Sequence, residues 1–373
     1  MSKNKAIVIG AGIVGLAAAR ALAEKGFKVK VFERNEQAVG ASVRNFGMVW
    51  PIGQPKGKLF DRAMRSRKIW LDICAKGKFW HHPNGSLHLL YHNDEMAVAE
   101  EFMMANHEER GCDIITAKQA LQKSTIARAD ELKGALWSNT ELIVESREII
   151  GQLPAYLEEK YDISFKFGKA VTRVKTGKVF VDEKKYEADL IVVCSGADFE
   201  TLYPETFAKS GITKCKLQMM RTEAMPKGNV GPSLCGGLTL THYGAFADLK
   251  SLPALKKRYD KQWTEQVKWG IHVLVSQSPN MELTLGDSHE YGQVFDPFDK
   301  AAINQLVIDY LKTFTNLKAI PISQSWNGIY AKLPGKTEFI AEPEKGVHIL
   351  NGLSGAGMTL SFGLAEEWAE GAV

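Results

Sequence analysis

Cysteine is scarce in this sequence, and its spacing forms no recognisable site. The five cysteines, Cys74, Cys112, Cys194, Cys215 and Cys235, include no C-x-x-C pair and none with a histidine neighbour. That pattern argues against zinc and against a disulfide framework, so no metal is expected. Long apolar runs are missing too. No window reaches about 18 uninterrupted apolar residues, the length a membrane-spanning helix requires. Neither sign of charge dominates, since 47 basic and 43 acidic side chains leave a formal net charge of +4. Such a mixed balance excludes a broad nucleic-acid or membrane surface. The chain opens Met1-Ser2-Lys3-Asn4-Lys5 and enters a β-like run at once, so neither a signal peptide nor a transit peptide is expected. Together these absences predict a reduced, cytoplasmic, soluble protein.

What is present suits a large folded core. Hydrophobic residues make up 45% and charged residues 24% of 373 positions, ordinary for a globular protein. The length predicts two intimately joined domains at roughly 100–200 residues each. One basic run, Lys56, Lys58, Arg62, Arg65, Arg67 and Lys68, is interleaved with Leu59, Phe60, Ala63, Met64, Ile69 and Trp70. The pattern predicts an amphipathic helix with a solvated basic face. Attraction of an anionic substrate is the alternative.

The N-terminus carries the most specific motif. Ala6 to Ile9 reads as a strand buried on both faces, and it runs into Gly10-Ala11-Gly12-Ile13-Val14-Gly15. Gly10 permits a tight turn, Gly12 lets backbone approach a pyrophosphate, and Gly15 lets the next helix pack close to the strand. That helix is predicted from Val14 to Lys25, its first amides aimed at phosphate and its end marked by Gly26. A second strand, Lys28 to Phe32, ends at Glu33 and Arg34. A carboxylate at Glu33 accepts both hydroxyls of an adenosine ribose and repels a 2′-phosphate, which disfavours NADP.

The stretch from Gly40 to Pro51 is too polar and glycine-rich for the helix that a repeating NAD domain would place there. It reads as a loop crossing the middle of a dinucleotide, or else as a plain surface loop. In the first reading Ser42 bonds a phosphate and Arg44 neutralises one or lies near the ring system. Asn45 shares the crossing, and Gly47-Met48 brings backbone to a flavin edge.

With the later blocks added, the chain resembles the glycine oxidase and D-amino-acid oxidase family of FAD-dependent amine oxidoreductases, which includes the sarcosine oxidases. The middle block is Gly168 to Val174, then a small hairpin and Ala188 to Ala197; the last is Trp326 to Tyr330, then Gly352 to Leu360. The resemblance implies that backbone at Val171 holds the adenine and that the Ser195-Gly196 turn closes over the cofactor. It places Gly328, Gly355, Gly357, Met358 and Thr359 at the flavin, where a helix N-terminus stabilises the reduced ring. FAD is expected to be non-covalent, since no cysteine follows Cys235.

Cofactor blocks scattered along the chain imply a discontinuous α/β FAD-binding domain, Rossmann-like and of the glutathione-reductase type. Residues 1–78, 141–215 and 325–373 are assigned to it. Residues 79–140 and 216–324 are assigned to an inserted α+β substrate domain, a mostly antiparallel β-sheet roofing the flavin. Its expected strands include a hairpin around Pro83-Asn84-Gly85 and the segments Leu217–Thr222, Ile271–Ser276 and Met281–Asp287. One long helix is predicted from about Pro297 to Thr313. The substrate pocket is expected between roof and ring.

The family implies hydride transfer from the carbon bearing nitrogen to flavin N5, then hydrolysis of the imine. No side chain is assigned as general base, because positioning and electrostatics carry that reaction. His242, Tyr243, His272 and His289 stand in view, but a lone histidine in a strand usually has a structural role. Members acting on α-amino acids have Gly-(Leu/Ile)-Arg-Pro, the arginine pairing with the substrate carboxylate. Here the block is Gly328-Ile329-Tyr330-Ala331-Lys332.

That departure, with the Ala41 to Pro55 stretch, is similar to the branch associated with aminophosphonate catabolism. The implied substrate is 2-aminoethylphosphonate or its N-methyl derivative, with Tyr330, Lys332, Arg44, Arg221 and His242 as candidate substrate-binding residues. A glycine, sarcosine or D-amino-acid oxidase is the alternative enzyme, and oxygen or an electron carrier would reoxidise the flavin. An NAD-dependent dehydrogenase is a further rival. A flavoprotein that binds FAD without turnover is the alternative from another class.

Overall fold

The strand Lys5–Ile9 lies at the heart of a six-stranded sheet. Its order is Phe339–Glu344, Val347–Asn351, Leu190–Val193, Lys5–Ile9, Lys28–Phe32 and Ser164–Lys166. All neighbours are parallel except the Phe339–Glu344 edge. A computed structural model describes residues 4–106, 110–225 and 229–372, so the opening Met1-Ser2-Lys3 falls outside the described residues.

Side-chain alternation explains how both faces of this sheet are covered. Ala6, Val8, Val29, Val31 and Val192 point into one core with the helices Ile13–Glu24, Lys58–Gly77, Ser146–Tyr161 and Gly357–Ala372. Ala17, Ala18, Ala19 and Ala21 keep the first helix slim, and a helix lies closer when its contact side chains are small. Ile7, Ile9, Ile191 and Val193 point the other way, onto the small antiparallel sheet Val171–Lys175, Lys178–Val181 and Lys184–Glu187. The first helix starts one residue before its expected N-terminus, and Gly26 beyond its end has φ +88°.

The second sheet has nine strands and is antiparallel apart from Ser233–Cys235 beside Ser86–Leu90. Thr213–Ala224 and Ile322–Lys332 form its longest pairing, with Cys215 opposite Tyr330 and Leu217 opposite Gly328. Cys215, Leu217, Met219 and Tyr330 share one apolar cluster. No helix among the described residues is long and apolar enough to cross a membrane.

Three local expectations are corrected. The Pro83-Asn84-Gly85 segment does not close a hairpin: His81–His82 pairs with Leu142–Val144, while Ser86–Leu90 lies between Gly134–Ser138 and Ser233–Cys235. All five residues of Ser86–Leu90 are buried, so this strand requires a neighbour on each edge. The helix expected from Pro297 begins at Ala301, because the Lys300 N–H donates to Gln218 Oε1 and holds the preceding segment extended. The basic face of Lys58–Gly77 is not wholly solvated. Arg62 is 2% exposed and is held between Glu338 and Glu367 at 3.0 and 2.8 Å.

Candidate functional site

A cavity of about 700 Å³ runs from the first glycine loop to the underside of the nine-stranded sheet. It is lined by all three sequence blocks, among them Gly10, Gly12, Val14, Val171, Gly196, Gly328 and Gly355.

The phosphate end is built by close approach. Gly10 has φ +105°, and a Cβ there would meet the Cys194 carbonyl oxygen at 2.4 Å. A Cβ on Gly15 would stand 1.9 Å from the Gly10 carbonyl oxygen, so the strand and helix can meet only without it. Gly15 therefore acts in packing and does not line the cavity. Ser42 Oγ accepts the Ile13 N–H at 2.9 Å, placing a hydroxyl over the N-terminus of Ile13–Glu24. The hydroxyl keeps its own proton for a phosphate oxygen.

Glu33 is pinned at the wall of the cavity. Oε2 accepts the Ala11 N–H at 2.9 Å, while Oε1 accepts the Asn35 N–H at 3.0 Å and Asn35 Nδ2 at 3.3 Å, so Oε2 is the oxygen that retains a lone pair for a ribose hydroxyl. Arg34 pairs with Asp198 at 2.7 Å, both lining the same end. Ser195 supplies an independent sign of a missing partner: its Oγ is buried without a hydrogen bond on the cavity wall. Asn351 Nδ2 donates to the Gly196 carbonyl at 2.9 Å and ties the last block to this turn. The glycine cradle, the fixed carboxylate and the orphan hydroxyl fit an extended FAD, whose adenosine Glu33 and Val171 would hold and whose flavin Gly328 and Gly355 would face.

Lys332 and His242, expected at the substrate, are not among the residues that line the cavity, and four more expected contacts are turned away from it by packing or pairing. Gly47 is required by packing, since a Cβ there would meet the Val144 carbonyl oxygen at 1.8 Å. Met48 pairs with Ile143 and is buried behind the wall. Thr359 Oγ1 accepts the Trp50 N–H at 3.0 Å, which turns its hydroxyl from the cavity. Arg221 is also misplaced as a substrate group. It is buried off the cavity between Glu145 at 3.2 Å and Glu282 at 3.4 Å, two carboxylates that occupy its charge.

Arg44, Asn45, Gly357 and Met358 do line the cavity. The Arg44 guanidinium, however, donates to the Val39 and Asn327 carbonyls at 2.9 and 3.1 Å.

At the far end Tyr330 and Asp287 face the same space. Burial, with Cys215 and Asp287 close by, pushes the Tyr330 phenol well above its ordinary value, so its hydroxyl is a donor. Burial lifts the Asp287 carboxyl to about 6 against the pull of His289. Lys332 lies near this end, its ammonium 5.7 Å from the centre of the Tyr291 ring. The histidines come together: the His242 ring centre is 3.6 Å from that of His272 and 4.8 Å from that of His289. Asp287 Oδ1 lies 3.4 Å from His272 Nε2 and Oδ2 lies 3.8 Å from His289 Nε2.

Asp287 is the residue that sequence reasoning missed. Nothing in its flanks marks it, and His242, His272 and His289 stand in separate segments whose meeting depends on the folded roof. Only the common strand register of the roof could have raised the possibility.

Comparison with known proteins agrees with this geometry. L-proline dehydrogenase from P. horikoshii superposes with a TM-score of 0.81 at 21% identity, over 99% of this chain and 93% of that one. Glycine oxidase from Geobacillus kaustophilus has a TM-score of 0.78 at 15% identity, over 100% and 96%. Iminodiacetate oxidase from Chelativorans sp. BNC1 has a TM-score of 0.72 at 16% identity, over 98% and 94%. At these identities the likeness is one of fold. Among curated proteins, 1-hydroxycarotenoid 3,4-desaturase of Flavobacterium sp. (strain P99-3) is 61% identical over 37 residues, 10% of this chain and 8% of that protein. The profile of the DAO family, described as FAD dependent oxidoreductase, matches residues 5–370. The chain belongs to the DAO family of FAD-dependent oxidoreductases.

Proposed function

We propose that this protein oxidises a small amine bearing a phosphonate, 2-aminoethylphosphonate or its N-methyl derivative, to the imine that water hydrolyses to phosphonoacetaldehyde. One observation carries the substrate reading: the far end of the cavity has Tyr330 and the nearby Lys332, while Nε and Nη1 of the lining Arg44 are held by backbone carbonyls. Arg44 is bound to two carbonyls and Arg221 to two carboxylates. The planar fork that suits a carboxylate is thus partly engaged by backbone. A point charge with a hydroxyl donor suits the rounded oxygen surface of a phosphonate.

Bound FAD supplies the two-electron acceptor for hydride from the carbon bearing nitrogen. The chain contributes orientation. Tyr330 donates from the roof, Lys332 attracts the anionic group, and Leu217 and Met219 line the same end with apolar surface. This accounts for rate by placing the carbon before the ring, without an assigned side-chain base.

Anaerobic stopped-flow spectroscopy tests the reading. 2-Aminoethylphosphonate or its N-methyl form should bleach the flavin, with glycine and sarcosine slower at equal concentration. Bleaching by glycine or sarcosine alone would move the reading to the glycine oxidase alternative, and an unreactive flavin with every amine would favour a binding protein. Repeating the panel in air distinguishes oxygen from a carrier as the electron acceptor.

A further inference from the structure

We propose that His242, His272 and His289 form a binding site for one divalent transition-metal ion of the zinc class. Each imidazole brings a nitrogen within 4.8 Å of the other two. Three imidazoles with one position left open are a donor set suited to zinc and its first-row neighbours.

The ring nitrogens that remain free are the evidence. His289 Nδ1 lies 2.8 Å from the Gly270 carbonyl oxygen, which can only accept. Nδ1 therefore carries a proton, which leaves Nε2 as the nitrogen available to the cluster. His272 is 3% exposed, and its Nδ1 is buried with no hydrogen-bond partner. Asp287 Oδ1 is likewise buried and unbonded beside His272. With the His272 N–H on Nε2 toward Asp287 Oδ1, Nδ1 is left as a buried lone-pair nitrogen without a partner, which a cation can supply.

Asp287 supplies negative charge next to two of the three rings and lines the cavity. Lys332 works against a cation here, and the carboxylate offsets it.

The rings as they stand are too far apart to close on an ion. Zinc at ~2.05 Å from each nitrogen sets those nitrogens ~3.3 Å apart. His242 can make the adjustment. It is exposed, and among the described residues no hydrogen bond to its ring is seen. Turning it out of its tilted 3.6 Å contact with His272 breaks no hydrogen bond among the described residues.

The test uses the FAD-loaded protein, freed of metal with a chelator and desalted. Isothermal titration with Zn²⁺ should show about one site per chain, and Co²⁺ should give visible bands beyond the flavin absorption. His289→Ala should weaken Zn²⁺ binding beyond the ~10–100-fold that loss of an outer hydrogen-bond partner costs. His242→Ala is the second variant, because its open position spares the core. Bound FAD and near-ultraviolet circular dichroism report folding in both. Absence of a stoichiometric site, or equal affinity in wild type and in a folded His242→Ala variant, overturns the proposal. So does tight binding of methylphosphonate that both substitutions abolish while Zn²⁺ stays unbound. None of these readouts uses an amine, so they stand apart from the substrate reading.

Discussion

Ser42 Oγ accepts the backbone N–H of Ile13 at 2.9 Å, joining the Gly40 to Pro51 loop to the N-terminus of the helix Ile13–Glu24. The bond fixes the hydroxyl where Gly12 leaves room, since a Cβ on Gly12 would lie 3.1 Å from it. A hydrogen bond to a charged group contributes about 1.5–3 kcal/mol. Ser42→Ala should therefore raise the dissociation constant for FAD by roughly tenfold or more. Quenching of FAD fluorescence on titration into apoprotein measures it. An unchanged constant would remove Ser42 from the phosphate contacts.

Arg62 joins three distant parts of the chain. Its guanidinium, buried in Lys58–Gly77, bonds Glu338 at the edge of the central sheet and Glu367 in the last helix. Removing one partner of a buried ion pair costs about 3–5 kcal/mol, because the remaining charges lose their compensation. Both glutamates keep some contact with water, which places Arg62→Met near the lower end, about 3 kcal/mol. Urea unfolding monitored by tryptophan fluorescence should show the midpoint fall. A variant as stable as wild type would refute the anchoring role.

The same network carries a pH dependence of definite sign. Burial alone would raise the Glu338 carboxyl, but the Arg62 guanidinium and the Thr337 hydroxyl more than reverse it and hold it below its ordinary value. A group depressed in the folded state adds stability above its unfolded pKa, about 4.3 for a glutamate, and loses it as pH falls through the folded value. Wild type should therefore lose urea stability on acidification below about pH 4 more steeply than Arg62→Met. Parallel slopes for the two proteins would contradict the linkage.

The cofactor half was legible because its chemistry is local. Gly10, Gly12, Ser42 and Glu33 carry their constraints in short segments, where a turn or close approach admits few residue types. Arg62 and Arg221 were misread for the opposite reason. Their carboxylate partners stand far away in sequence, so a solvated cation and a buried ion pair look alike. The histidine cluster was hidden in the same way, with Gly270, Asp287 and three rings meeting only when the roof strands assemble. Ser86–Leu90 shows the limit for strands: a glycine turn announced a reversal, but burial on every residue sent the strand between two other partners.

Lys332 and Arg221 separate the two kinds of positive charge in the roof. Lys332 lies on the Tyr330 strand near the ring end, whereas Arg221 is enclosed by Glu145 and Glu282. Lys332→Met should raise the amine concentration for half-maximal flavin reduction by about tenfold or more, the loss of a charge-assisted contact worth roughly 1.5–3 kcal/mol. The limiting rate should fall less, because the lost contact holds the substrate before and during transfer alike. Arg221→Met should leave that half-saturation within about twofold while lowering the urea midpoint, since it strands two carboxylates away from the substrate. Anaerobic reduction kinetics on both variants decides between these roles. If Arg221→Met shifts half-saturation and Lys332→Met does not, the anion site lies on the Glu145 side of the roof.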